Sequence, residues 1–151
     1  MNIEIMEYPV RFQLYGLTDI LQDDRCDLLG LRLMNELWQH IKGAKVATAG
    51  INHWVYLANR KMFVGVELQK VHSPSIPDRL ELRTFELTRS MKHVHIGPYQ
   101  LLPQKWAALK AELADRGEVI GVPSLEIYGH HCEDPEKLET TILIALRARS
   151  V

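Results

Sequence analysis

Hydrophobic and polar positions change their period several times along this chain, and each change marks an element. Between Ile3 and Gly16 the period is two. Val10, Phe12 and Leu14 share one parity and Arg11, Gln13 and Tyr15 the other. That alternation predicts a half-buried strand, with Pro9 tolerated near its start or at an edge. Thr18 to Arg25 is polar and acidic and reads as a loop. From Asp27 the spacing becomes three and four: Leu29, Leu33, Leu37 and Ile41, with Trp38, predict an amphipathic helix, opened by Asp27 as N-cap and closed at Gly43. Asn52 to Ala58 and Met62 to Gln69 then read as a hairpin about the polar turn Asn59-Arg60-Lys61.

The order repeats after Val71 to Asp78, whose two prolines and two serines mark the one plausible linker. Leu80 to Ile96 alternates as one long or bent strand. Pro103 to Arg116 is a helix with Trp106, Leu109 and Leu113 on one face and Gly117 as its stop. Ser124 to Tyr128 and Glu139 to Arg147 are strands, separated by the polar loop HHCEDPEK. Trp38 aligns with Trp106 and Ile41 with Leu109, while Trp54-Val55-Tyr56 falls opposite Glu126-Ile127-Tyr128. Only two copies occur at a period of about 70 residues, so a pseudo-two-fold arrangement is a better account than a solenoid. The expected fold is α+β: two β-α-β-β repeats, about 1–70 and 79–151, forming one domain. Their antiparallel sheet should carry the helices on one side and a central groove.

Composition narrows the function classes. The 151 residues suit one domain, and 46% hydrophobic with 25% charged residues is ordinary for a globular protein. A formal net charge of −1 and a sequence pI of about 6.7 supply no field to recruit nucleic acid or anionic membrane. The two cysteines, Cys26 and Cys132, lie far apart and outside any C-x-x-C motif, so a disulfide framework is not expected. MNIEIMEY lacks the layout of a secretory leader, and no apolar run reaches the ~18 residues of a membrane helix. A cytoplasmic location is the expectation.

Glu126 is the main candidate for chemistry. It interrupts the strand SLEIY, where glutamate is disfavoured, and by parity it shares a face with Ser124 and Tyr128 while Leu125 and Ile127 share the other. If the Leu125/Ile127 face packs on the helices, Glu126 looks into a concave side, with Trp54 and Tyr56 on the opposing rim. A carboxylate among aromatic rings suits a cationic or lipophilic organic molecule. A solvated strand glutamate, and aromatics that are simply core, are the competing readings. Trp38 and Trp106 lie on leucine-rich helical stripes and read as core. His93 and His95 share a strand face but have no third ligand nearby. His130, His131 and Cys132 are adjacent and lack a spaced second pair, so no metal is expected. No phosphate loop, G-x-S-x-G or H-E-x-x-H occurs, and no cofactor is expected. Gly97-Pro98 is a turn that delivers Tyr99 toward the second helix.

His95-Ile96-Gly97-Pro98-Tyr99, Leu102-Pro103, Trp106, Pro123 to Tyr128 and Asp134-Pro135, in that order, resemble the gyrase-inhibitor-like (GyrI-like) family. Such domains also serve as effector-binding domains of AraC-type and MerR-type bacterial transcription regulators. The pattern spans residues 93–147, and the N-terminal half agrees more loosely. The resemblance implies two packed repeats forming a groove, with Glu126 as the acid that meets cationic ligands. It adds Tyr99 and His95 to Trp54, Tyr56, Glu126 and Tyr128 as ligand-binding candidates. It also implies a second activity found in some stand-alone members, hydrolysis of strained electrophilic molecules, with Glu126 and Tyr128 or Trp54 as the matching residues. No helix-turn-helix segment is recognisable, so direct nucleic-acid contact is not expected. The leading expectation is a stand-alone binder of lipophilic or cationic small molecules. Hydrolysis is the alternative, and a ligand-sensing or gyrase-inhibitor-type protein with an unidentified protein partner is the third.

Overall fold

The computed structural model describes residues 1–45, 48, 50–68 and 77–149. Among these residues, eight strands and two α-helices follow one another: β1 (Glu4–Met6), β2 (Val10–Ile20), α1 (Cys26–Ala44), β3 (His53–Tyr56), β4 (Lys61–Val66), β5 (Glu81–Leu87), β6 (Ser90–Ile96), α2 (Leu102–Asp115), β7 (Ile120–Tyr128) and β8 (Glu139–Leu146). All strands join one antiparallel sheet in the order β1-β6-β8-β7-β3-β4-β2-β5. This is the expected α+β class, with both helices on one side of the sheet.

Chain connectivity forces the sheet to curl. In the strand order, β5 and β6 stand six places apart, and so do β1 and β2. At ~4.8 Å per strand, a flat sheet would separate each pair by roughly 29 Å. Only Thr88 and Arg89 join β5 to β6, and only Glu7 to Pro9 join β1 to β2. Segments that short span at most roughly 10–14 Å. The two edges therefore approach each other, and the sheet is a half-barrel. An ion cluster pins this corner: Arg89 Nε donates to Glu7 Oε2 (2.8 Å) and Arg89 Nη2 to Glu118 Oε1 (2.8 Å), while Arg149 also donates to Glu118. Arg89 and Glu118 are both buried.

Curling buries both faces. Leu29, Leu33, Leu37 and Ile41 of α1 cover Trp54, Met62, Val64 and Val66, and Leu102, Leu109 and Leu113 of α2 cover Met91, Ile142 and Ile144. On the other face, Leu14, Val55, Phe63, Phe85, Leu125 and Leu143 fill the inside of the curl. Each such side chain removed from water stabilises the fold by roughly 2 kcal/mol.

Several local expectations need correction. The strand expected over Ile3–Gly16 breaks at Glu7–Pro9, and its second part runs on to Ile20 by pairing with β4 through segments read as loop. The strand expected over Leu80–Ile96 breaks at Thr88–Arg89, and its parts sit far apart in the sheet order, because alternation continues across a corner. Asp27 is not the N-cap of α1. It lies in the first turn, bonded to the Arg25 guanidinium at 3.0 and 3.1 Å. Gly43 does not end α1; Lys45 takes the left-handed conformation there instead. The β3–β4 turn centres on Asn59 and Arg60, both at φ 61°, the conformation that matches strand twist in a two-residue hairpin. Gln69 and most of the linker expected over Val71–Asp78 lie outside the described residues.

Candidate functional site

β3 and β7 pair at the middle of the sheet, with Trp54 directly opposite Glu126 and Tyr56 opposite Ser124. The sheet order reads symmetrically about this pair, β7-β8-β6 on one side and β3-β4-β2 on the other. Trp54, Tyr56, Glu126 and Tyr128 share one face, as their parity requires. That face carries the helices, and this corrects the expected orientation. Leu125 and Ile127, expected against the helices, pack inside the curl with Val55, Phe63 and Leu143. Both faces of a curled sheet are apolar, so alternation groups the side chains without saying which group meets the helices.

Between α1 and α2 the sheet stays open in a cleft of about 750 Å³. Trp54, Tyr56, Ser124, Glu126 and Tyr128 supply its floor. Cys26, Asp27, Leu31 and Met34 come from α1, and Leu102, Pro103, Trp106 and Lys110 from α2. Tyr99 lines it from the turn before α2, and His131 from the loop after β7. Gly30 lets α1 lie this close, because a Cβ there would stand 2.2 Å from the Trp54 ring.

Glu126 is only 4% exposed, yet it makes no ion pair among the described residues. Three aromatic side chains donate to it instead. Tyr56 and Tyr128 hydroxyls both reach Oε1, the second at 3.0 Å, and Trp106 Nε1 reaches Oε2 at 3.0 Å. Burial first, and then the Glu126 charge, hold the Tyr56 and Tyr128 hydroxyls protonated far above the ordinary phenol range. Burial, followed by Glu126 and Asp27, also raises the Cys26 thiol. The rings brace one another edge to face: Trp54 with Tyr128 at 5.1 Å, Tyr56 with Trp106 at 5.8 Å and Tyr99 with Tyr128 at 5.4 Å. The arrangement is an aromatic cage around a buried carboxylate with no cationic partner among the described residues.

Of the candidates read from the sequence, Trp54, Tyr56, Tyr99, Glu126 and Tyr128 come together in this cleft. His95 does not. With His93 it lines a separate recess of about 400 Å³, its Nε2 3.2 Å from the Pro98 carbonyl. Trp106, expected as core, packs against the core beneath α2 but is only half-buried, and its other side forms the cleft wall. A tryptophan on a helical stripe still needs an N–H partner, and that requirement was the available signal. Its counterpart Trp38 finds Asn52 Oδ1 at 2.7 Å. Nothing in the sequence pattern singled out Lys110, Leu31 or Met34. Gly30, in mid-helix, was a sign of close packing that sequence reasoning missed.

No family model matches the sequence, and no curated protein matches it. Solved structures share its fold. SAV2435 bound to tetraphenylphosphonium aligns with a TM-score of 0.63 at 15% identity, over 97% of this chain and 94% of that one. The C-terminal domain of EcmrR aligns with a TM-score of 0.72 at 13% identity, over 97% and 99%. A hydrolase from Listeria innocua aligns with a TM-score of 0.60 at 13% identity, over 96% and 91%. At these identities the likeness establishes the fold.

Proposed function

We propose that the chain binds lipophilic organic cations in the cleft between α1 and α2, as a GyrI-like effector-binding domain. The observation that carries this reading is Glu126: buried, caged by Trp54, Tyr56, Trp106 and Tyr128, and without a protein counter-ion among the described residues. A carboxylate held in low dielectric by neutral donors attracts a cation strongly, and ring faces add cation–π attraction and apolar area. The cleft volume suits a drug-sized molecule. A neighbour of the same fold is described as bound to tetraphenylphosphonium, a cation of this chemistry.

Binding is favoured over hydrolysis by the hydrogen-bond count. An ionised carboxylate offers about four acceptor positions, and three are taken by aromatic donors, leaving little for a water to be activated. Titration with tetraphenylphosphonium, followed by tryptophan fluorescence, tests the reading. Glu126→Gln should weaken this cation by roughly 10–100-fold, and neutral triphenylphosphine oxide by much less. Equal losses for both compounds would show that the carboxylate is not the selector. Electrophile hydrolysis that is equal in wild type and Glu126→Gln would remove the enzymatic alternative.

A further inference from the structure

The Trp106 indole is used twice. Its edge N–H donates to Glu126 Oε2 at 3.0 Å. One helical turn further along α2, the Lys110 ammonium lies 5.8 Å from the centroid of the same ring. Lys110 lines the cleft, and among the described residues it makes no ion pair. Asp27, the other acid lining the cleft, is already engaged by Arg25. Among the described residues that line the cleft, Lys110 is the one lysine or arginine, and it is seated on the aromatic wall.

We propose that Lys110 is the resident cation of the cleft and sets its charge selectivity. In the free protein its ammonium stacks on Trp106. An incoming organic cation must displace it from the ring and then bind beside a like charge. A neutral compound of the same shape meets the displacement but not the repulsion. Lys110 thus narrows the preference for cations that Glu126 creates, and passes those whose apolar area outweighs the exchange. This rests on the cation-binding reading above and adds a specificity-determining residue to it.

The test is a titration of wild type, Lys110→Gln and Lys110→Arg with tetraphenylphosphonium and with triphenylphosphine oxide, at low and high salt. Lys110→Gln should raise the cation-to-neutral affinity ratio by about 2–5-fold, the size of the repulsion between two unit charges roughly 4–8 Å apart in a water-like dielectric. High salt should shrink that gain, because the repulsion is screened. Lys110→Arg keeps a positive charge over the indole, so its cation-to-neutral ratio should stay near that of wild type even if its stacking on the ring changes both affinities. In NMR spectra of the free protein, the Lys110 ε-methylene resonance should be shifted by the indole ring current and should move to its solvent position on saturation. Tight cation binding with an unchanged ratio in Lys110→Gln, or a Lys110 resonance at its solvent position before ligand is added, overturns the role of Lys110 alone. No tetraphenylphosphonium binding by any of the three proteins overturns the cation-site reading itself.

Discussion

The Glu126 carboxylate is held by donors on three bulky rings, those of Tyr56, Trp106 and Tyr128, so changes in ring position reach it directly. Gly30 bears on the carboxylate through Trp54, whose ring packs edge to face on the Glu126 partner Tyr128. Alanine would gain about 1 kcal/mol of helix propensity, but its methyl would meet the Trp54 ring at 2.2 Å. Overpacking of that kind costs about 1–3 kcal/mol, so the clash outweighs the propensity. Gly30→Ala should be less stable in urea denaturation and should bind tetraphenylphosphonium more weakly, since Trp54 can yield only toward the cleft or the core. A variant more stable than wild type, with unchanged affinity, would show that α1 shifts without cost.

At the scale of elements, the corner between β5 and β6 matters most, because two strand-to-strand crossings meet there. Glu118 enters it after α2 and is held by Arg89 and then Arg149, which lower its carboxyl to about 2 from an ordinary 4.5. A carboxylate lowered on folding contributes stability above the unfolded value and loses it as pH falls through the folded one. The stability difference between wild type and Glu118→Gln should thus be largest near neutral pH and shrink between about pH 4.5 and 2. Denaturant midpoints across that range measure it, and a constant difference would mean the pair adds nothing through its charge. Arg89→Met should cost about 3 kcal/mol, the low end for breaking a buried pair, since Arg149 remains to partner Glu118.

For the whole molecule, ligand binding and stability are linked, because the cleft is closed by both helices and the central strands. A ligand that binds only the folded state adds ~2.7 kcal/mol at a hundred times its Kd. In a domain of this size that raises Tm by roughly 5–10 °C. Tetraphenylphosphonium should give such a shift with wild type, and a much smaller one with Glu126→Gln at the same concentration. Equal shifts in both would place the cation somewhere other than beside Glu126.

The sequence by itself determined which residues keep company. The period of three to four marked α1 and α2, and strict alternation put Trp54, Tyr56, Glu126 and Tyr128 on one face. The alignment of Trp54-Val55-Tyr56 with Glu126-Ile127-Tyr128 marked the two segments as equivalent, but it did not tell that β3 and β7 pair with Trp54 opposite Glu126. These features are local, or fixed by backbone geometry whatever surrounds them. Tertiary structure alone decided which face the helices cover. In a sheet curled by two short crossings both faces are buried, and Leu125 and Glu126 then differ in surroundings rather than in burial. It also decided that Trp106, packed beside the leucines of α2, reaches Glu126 with its indole N–H, and that His95 lies outside the cleft. Those outcomes depend on where α2 sits over β7, a distance between elements that no periodicity records.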